Sequence, residues 1–288
     1  MDDVSGAATR RPTLSERVRE TLTNLSHTGE LPTLSQTATR ALRLARDPDA
    51  GISDMCRIVG TDVGLSARIL RVANSAAYLR RTPIRTLEQA IYTLGLIKTC
   101  DLIVAASARE LLGAGAEATL LWNHALSAAV AAEEIAQLSR LEQPALAFLP
   151  ALFHDVGRIV FCLVDAASYA AVRQLTASGE GEIYDVERMW YGFDHAEAGA
   201  VLAEEWGLAR DQIDAIRWHH HPDCAGRGRR LAKVLNAADA LAYAIGDGSG
   251  HLIPADVDLD ALGLETQDVL ALAARVRQAV AEHRQLVL

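Results

Sequence analysis

Apolar positions recur along this chain at intervals of three and four, the spacing that lines up side chains on one side of a 3.6-residue helix. Leu14, Val18, Leu22 and Leu25 form the first such stripe. Leu31-Pro32-Thr33-Leu34 interrupts it, and Pro32 is expected to open a second helix with Leu34, Ala38, Ala41, Leu42 and Ala45 facing inward. After a turn over 47–51, Ser53 is expected to cap a short helix through Val59, and Asp62 to start another that buries Leu65, Ile69, Val72 and Ala73. Thr86 then caps a helix containing Ala90, Ile91 and Leu94, with Gly95 at its left-handed C-terminal position. Residues 96–112 are apolar nearly all round, which predicts a helix packed on several sides between two lobes.

Helices are predicted over 117–139, 143–153, 165–177, 184–190, 195–206, 210–219, 231–245 and 267–286. The expected organisation is a disordered tail over 1–12, an N-terminal helical lobe over 13–115, a second helical bundle over 116–245, and a linker with a C-terminal helix over 246–288. Composition agrees: 51 alanines and only 5% aromatics suit an all-α fold and disfavour sheets. A net charge of −9 supplies no general attraction for phosphate backbones, so no duplex-DNA binding is expected. The most apolar stretch, 145–164, is broken by His154, Asp155 and Arg158, and no membrane span is expected from it. Cys56, Cys100, Cys162 and Cys224 are scattered singly and the N-terminus has no leader-like apolar run, which points to a cytoplasmic protein.

Chemistry enters with the histidines. Six of the nine fall between His124 and His221. His154-Asp155 sets an imidazole beside a carboxylate inside an apolar run, the usual pairing for divalent metals. His124 shares a face with Ala128, Ala131 and Ile135, and His195 shares one with Ala198, Gly199, Leu202 and Trp206. Asp239 lies one turn after Leu235, and His219-His220 precede His221-Pro222. An ionisable group on an apolar stripe is costly unless it is ligated or paired. Two answers stay open: a divalent metal (Fe, Mn or Mg) held by His124, His154, Asp155, His195, His219, His220 and Asp239, or a metal-free buried network. In that network Arg158 would stand in for the cation. His27, His251 and His283 read as surface residues, and the basic stretches 68–85 and 227–233 as solvated faces with a weaker option of touching an anion.

These segments together resemble the HDOD family, the HD-related output domains of bacterial signalling. The resemblance runs from about Leu31 to Ala244. It is carried by Leu31-Pro32-Thr33-Leu34, Leu65 to Ser75, Ile84 to Ile91, Leu121-Trp122-Asn123-His124, Leu152 to Arg158, Gly192 to Gly199 and Trp218-His219-His220. It implies an all-helical fold with an HD-like bundle in the second half, and a regulatory role exerted by binding another signalling protein or a nucleotide-type ligand. The alternative it implies is a metal-dependent phosphohydrolase or nucleotide phosphodiesterase, since the second half is similar to HD phosphohydrolases including the HD-GYP enzymes. The seven residues named above match that superfamily's metal positions; catalytic residues are left unassigned. Two features depart from the HD-GYP pattern: Arg158 stands in place of Lys, and no Gly-Tyr-Pro follows the paired histidines. Oligomeric state is left open.

Overall fold

The computed structural model describes residues 14–75, 78, 82–113, 115–141, 143–247 and 259–287. The fold is all-α, and no strand occurs among the described residues. The expected tail over 1–12, His251 and the side chain of His283 lie outside what is described.

Capping chemistry decides where the helices begin. After α1 (Leu14–Thr28), α2 (Gln36–Leu44) opens at Ser35, whose Oγ accepts from the Ala38 amide at 3.2 Å. The start expected at Pro32 is therefore displaced, because Ser35 offers an oxygen to the free amides. Pro32 instead presents its carbonyl to the Trp206 indole N–H at 3.2 Å. α3 (Ile52–Val59) is capped by Gly51 and not by Ser53; the Gly51 amide donates to Asp54 Oδ2 at 2.9 Å. Asp62 and Thr86 cap α4 (Val63–Ala73) and α5 (Leu87–Leu111) as expected. Gly95 does not end its helix in the left-handed form. It takes φ 80° and ψ 166° inside α5, a conformation reserved for glycine, and the helix kinks and continues.

The second half comprises α6 (Ala116–Leu138), a 3-10 turn (Pro144–Ala147), α7 (Phe148–Leu152), α8 (Arg158–Ala177), α9 (Ile183–Tyr191), α10 (His195–Glu205), α11 (Arg210–Arg217) and α12 (Arg229–Ala242). α13 (Leu259–Leu262) and α14 (Thr266–Val287) follow. The helix expected over 143–153 is thus split at Ala147 by the proline-led 3-10 turn. The one expected from Asp165 starts earlier, at Arg158. Asp165 caps its second part internally, with Oδ1 accepting from the Ala167 and Ser168 amides at 3.1 Å each.

α6 and α12 pair along much of their length, flanked by α7 and α11. α2, α3 and α4 pack on α5, which also reaches α7 and the 3-10 turn, while α14 bridges α4, α5 and α6. α1 breaks chain order by packing on α10 and α8, with Arg19 Nη2 2.5 Å from Glu204 Oε2. The buried apolar side chains form one cluster from Val18 to Val280. The lobes proposed for 13–115 and 116–245 therefore meet over a shared interior. Their separability is a question for limited proteolysis. Among the described residues two helices, α5 and α8, are long and apolar enough to cross a membrane. The apolar window of α5 is 61% buried in the protein, so its length is used in the core; that of α8 is 22% buried.

Candidate metal centre

Five separate segments bring the seven expected residues together. α6 carries His124, the turn after α7 carries His154 and Asp155, α10 begins at His195, the turn after α11 carries His219 and His220, and α12 carries Asp239. The turn can lie against α10 because residue 157 is glycine. A Cβ there would overlap the His195 carbonyl oxygen and sit 2.6 Å from the Gly199 amide. Asp194 fixes the start of α10, accepting from the Glu197 amide at 2.8 Å while Arg188 Nη2 holds its other oxygen at 2.7 Å. His154, Asp155, His195 and His219 are each at most 1% exposed.

The donors form two groups on either side of Asp155. In the first, His124 Nε2 lies 3.0 Å and His154 Nε2 3.4 Å from Asp239 Oδ1, and the two imidazole nitrogens are 3.2 Å apart. Asp155 Oδ2 is 3.6 Å from both. In the second, His195 Nε2 is 3.2 Å from Asp155 Oδ1 and 2.9 Å from His220 Nε2. His219 belongs to both sides: its ligand nitrogen lies within 4.8 Å of those of His195 and His220, and of the ligand atoms of His154 and Asp155.

Outer contacts decide which way the imidazoles face. A carbonyl can only accept, so the Nδ1 atoms of His154 and His219, each 2.7 Å from the carbonyls of Ala151 and Ile216, carry the protons. Their Nε2 atoms then face the centre. His195 is oriented by Glu187, whose Oε2 accepts from its Nδ1 at 2.6 Å and from its amide at 2.8 Å, while Glu187 Oε1 accepts from Tyr169 Oη at 2.8 Å.

Burial opposes ionisation of Asp155, yet Arg158 and three imidazoles outweigh it and hold the carboxylate below its usual range. Burial likewise opposes Asp239, and bonds from His124 and His154 outweigh it. His154 is pushed up to about 9, since Asp155 and Asp239 overcome the cost of burial, whereas burial and its cationic neighbours press His219 down to about 3. Even so, His219 Nε2 is buried with no hydrogen-bond partner among the described residues, and the Asp155 oxygens and Asp239 Oδ1 are buried against imidazole and guanidinium neighbours with poor hydrogen-bond alignment. Five imidazoles and two carboxylates converge on one space. That donor set fits cations.

Arg158 takes the position anticipated for it, with Nε 3.1 Å from Asp155 Oδ1. His221 stays outside the centre, edge-on to Tyr184 with ring centroids 5.1 Å apart. Glu187, Tyr169 and Tyr243 were not anticipated. Glu187 shares a helical face with Ile183 and Tyr191, and a carboxylate on that face was the available signal. The basic residues of 227–233 serve structure: Arg230 Nη2 donates to the Ser139 carbonyl at 2.6 Å, and Lys233 pairs with Asp223 at 3.3 Å. In the other basic stretch, Asn74 clasps both backbone groups of Ile84, at 2.8 and 2.9 Å, and Arg80 and Arg81 lie outside the described residues.

An all-helical bundle with a buried imidazole and carboxylate centre defines the class. Residues 31–222 match the HDOD domain, and the chain belongs to that family. A structure of an HDOD domain protein of unknown function from Geobacter sulfurreducens is 24% identical, with a TM-score of 0.75 over 96% of this chain and 98% of its own. A candidate phosphohydrolase from Shewanella amazonensis SB2B is 24% identical (TM-score 0.68, 93% and 95% covered). A candidate signal transduction protein from Marinobacter aquaeolei VT8 is 23% identical (TM-score 0.74, 94% and 65% covered). These likenesses establish the fold. An uncharacterized protein of Treponema pallidum (strain Nichols) is 26% identical over 195 residues, which is 67% of this chain and 38% of that longer protein.

Proposed function

We propose that this chain is a cytoplasmic signal-transduction protein whose second half holds divalent metal and acts on a phosphoester, in the manner of HD phosphohydrolases. One observation carries the reading: the buried carboxylates of Asp155 and Asp239 and the unpartnered Nε2 of His219 converge with the ring nitrogens of four further histidines. His124, His154 and Asp239 would hold one ion and His195, His219 and His220 a second, with Asp155 between them. Five imidazoles and two carboxylates suit Fe or Mn better than Mg, which favours oxygen donors. Ions held there would supply Lewis acidity towards a phosphoryl oxygen and a nucleophile at neutral pH. The protein's own part is preorganisation. Ala151 and Ile216 fix two tautomers, Glu187 aims His195, and Arg158 keeps Asp155 ionised.

A second reading is regulation by binding a signalling protein or nucleotide-type ligand without turnover. The Arg158 guanidinium beside Asp155 favours it, because a fixed cation already offsets part of the charge that a metal would balance. Elemental analysis of protein purified without chelator, with bis(p-nitrophenyl) phosphate turnover in Mn²⁺, Fe²⁺ and Mg²⁺, separates the two. The first reading expects one or two ions per chain, lost in the His154→Ala/Asp155→Ala double variant. A folded wild type that never holds metal overturns it and leaves the second.

A further inference from the structure

Asp155 turns one oxygen to each half of the centre, and the halves differ in charge. On the Oδ2 side it joins His124, His154 and Asp239. Five distances among these four donors run from 3.0 to 3.6 Å. Neighbouring ligand atoms around a first-row divalent ion, with bonds of about 2.0–2.2 Å, stand about 3.0–3.5 Å apart, so this half is already close to the shape of a filled site. Its two carboxylates balance the charge of one such ion. On the Oδ1 side the donors are the imidazoles of His195, His219 and His220, and the carboxylate oxygen beside them is engaged: Arg158 Nε lies 3.1 Å from it. Glu187 stands on the far side of His195, 2.6 Å from Nδ1 and away from the ligand nitrogen. Asp155, Asp239 and Glu187 against Arg158 leave two negative charges, which match one divalent ion and fall short of two. Arg158 is set in place by its own turn. It is the first residue of α8, three positions after Asp155, and Gly157 seats that turn against α10. Its side chain is 15% exposed and lines, with Tyr169 and Tyr243, a cleft of about 380 Å³ that gives the guanidinium room to turn away from Asp155.

We propose that Arg158 makes the centre load unequally: His124, His154, Asp155 and Asp239 take the first ion, and a second enters among His195, His219 and His220 only when the guanidinium leaves Asp155. The inference rests on the metal reading above and adds an order of filling to it. A divalent ion and a guanidinium that share one carboxylate oxygen repel each other, which weakens the second ion by about a hundredfold at the effective dielectric of a protein. The guanidinium cannot shed its proton to relieve this, as a buried lysine could.

The test is Mn²⁺ titration of the full chain, stripped with chelator and dialysed. Equilibrium dialysis with elemental analysis and electron paramagnetic resonance read it. Wild type is expected to bind one ion, with the resolved hyperfine spectrum of an isolated Mn²⁺, and a second at about a hundredfold higher concentration. Arg158→Met removes the charge and keeps the reach. It is expected to bring the two Kd values within about tenfold of each other and to give the broadened spectrum of a coupled pair. Arg158→Gln repeats the charge removal should the methionine variant not fold, which circular dichroism checks. Asp239→Asn is expected to weaken the first ion, and His220→Ala the second alone. Two ions of equal affinity in wild type, loss of the first ion in His220→Ala, or an unchanged second Kd in a folded Arg158 variant overturns the proposal. The arms also separate it from the reading on which it rests. A chain that never binds Mn²⁺ defeats both. Equal loading with phosphoester turnover keeps the hydrolase reading and defeats this inference; unequal loading without turnover does the reverse.

Discussion

Removing the Glu187 carboxylate strands a set of buried donors beside the centre. Its two oxygens accept three hydrogen bonds: from the His195 Nδ1–H, the His195 amide and the Tyr169 hydroxyl. Glu187 and His195 are both at 0% exposure, so water cannot replace the lost partner without a rearrangement. Each buried donor left unpaired costs about 1–3 kcal/mol. Glu187→Ala is therefore expected to lose about 3–9 kcal/mol, a large share of a typical domain's ~5–15 kcal/mol. Glu187→Gln keeps the shape and an acceptor oxygen towards His195, and its amide can donate to the Tyr169 oxygen. It loses only the charge-assisted part of the two bonds to His195, about 1–3 kcal/mol. Tyr169→Phe in the Glu187→Ala background removes one stranded hydroxyl and is expected to restore about 1 kcal/mol. Urea unfolding followed by circular dichroism gives all three numbers. If the alanine variant lies within about 1 kcal/mol of wild type, or the glutamine variant is just as damaged, Glu187 is not holding these donors.

Three further outcomes are expected. Gly157→Ala drives a Cβ into the His195 backbone and is expected to lower the thermal midpoint markedly while a neighbouring Val156→Ala change costs less; equal effects would refute the close-approach argument. Asp101, 2% exposed on α5, has its carboxyl raised well above the usual value by burial, with Lys98 opposing only in part. Its folded form thus favours the proton, and its ionisation removes stability as pH climbs from about 4 towards that raised value. Asp101→Asn should therefore raise the urea midpoint at pH 8 and leave it nearly unchanged at pH 4; the reverse pattern would refute the assignment. A gel shift at physiological salt is expected to show no duplex-DNA affinity, and tight salt-sensitive binding would point to the basic stretch 68–85.

How much was legible followed from the kind of signal. Helices α4 and α5 begin at Asp62 and Thr86, because an oxygen one residue before an apolar period is a local signal. Ser53 and Pro32 misled because each neighbourhood held a better partner, Asp54 for the Gly51 amide and Ser35 for α2. The centre was legible as an anomaly: polar groups on apolar faces can be read one segment at a time, and all seven converge. Their outer supports were not, since the carbonyls of Ala151 and Ile216 carry no side-chain signature. The placement of α1 on α10 joins stripes 185 residues apart at Arg19 and Glu204, a distance that no local period encodes.

That long-range placement has a consequence for biosynthesis. On a ribosome moving at ~5–20 residues per second, Arg19 emerges about 10–40 s before Glu204 exists to meet it. Through that interval the α1 stripe of Val18, Leu22 and Leu25, each at most 6% exposed in the finished fold, faces water or whatever apolar surface is near. This helix is thus among the last to find its seat. A nascent chain arrested before α10 would offer this stripe to chaperones, and shortening that wait, by circular permutation that places α1 after α10, should raise the yield of soluble protein.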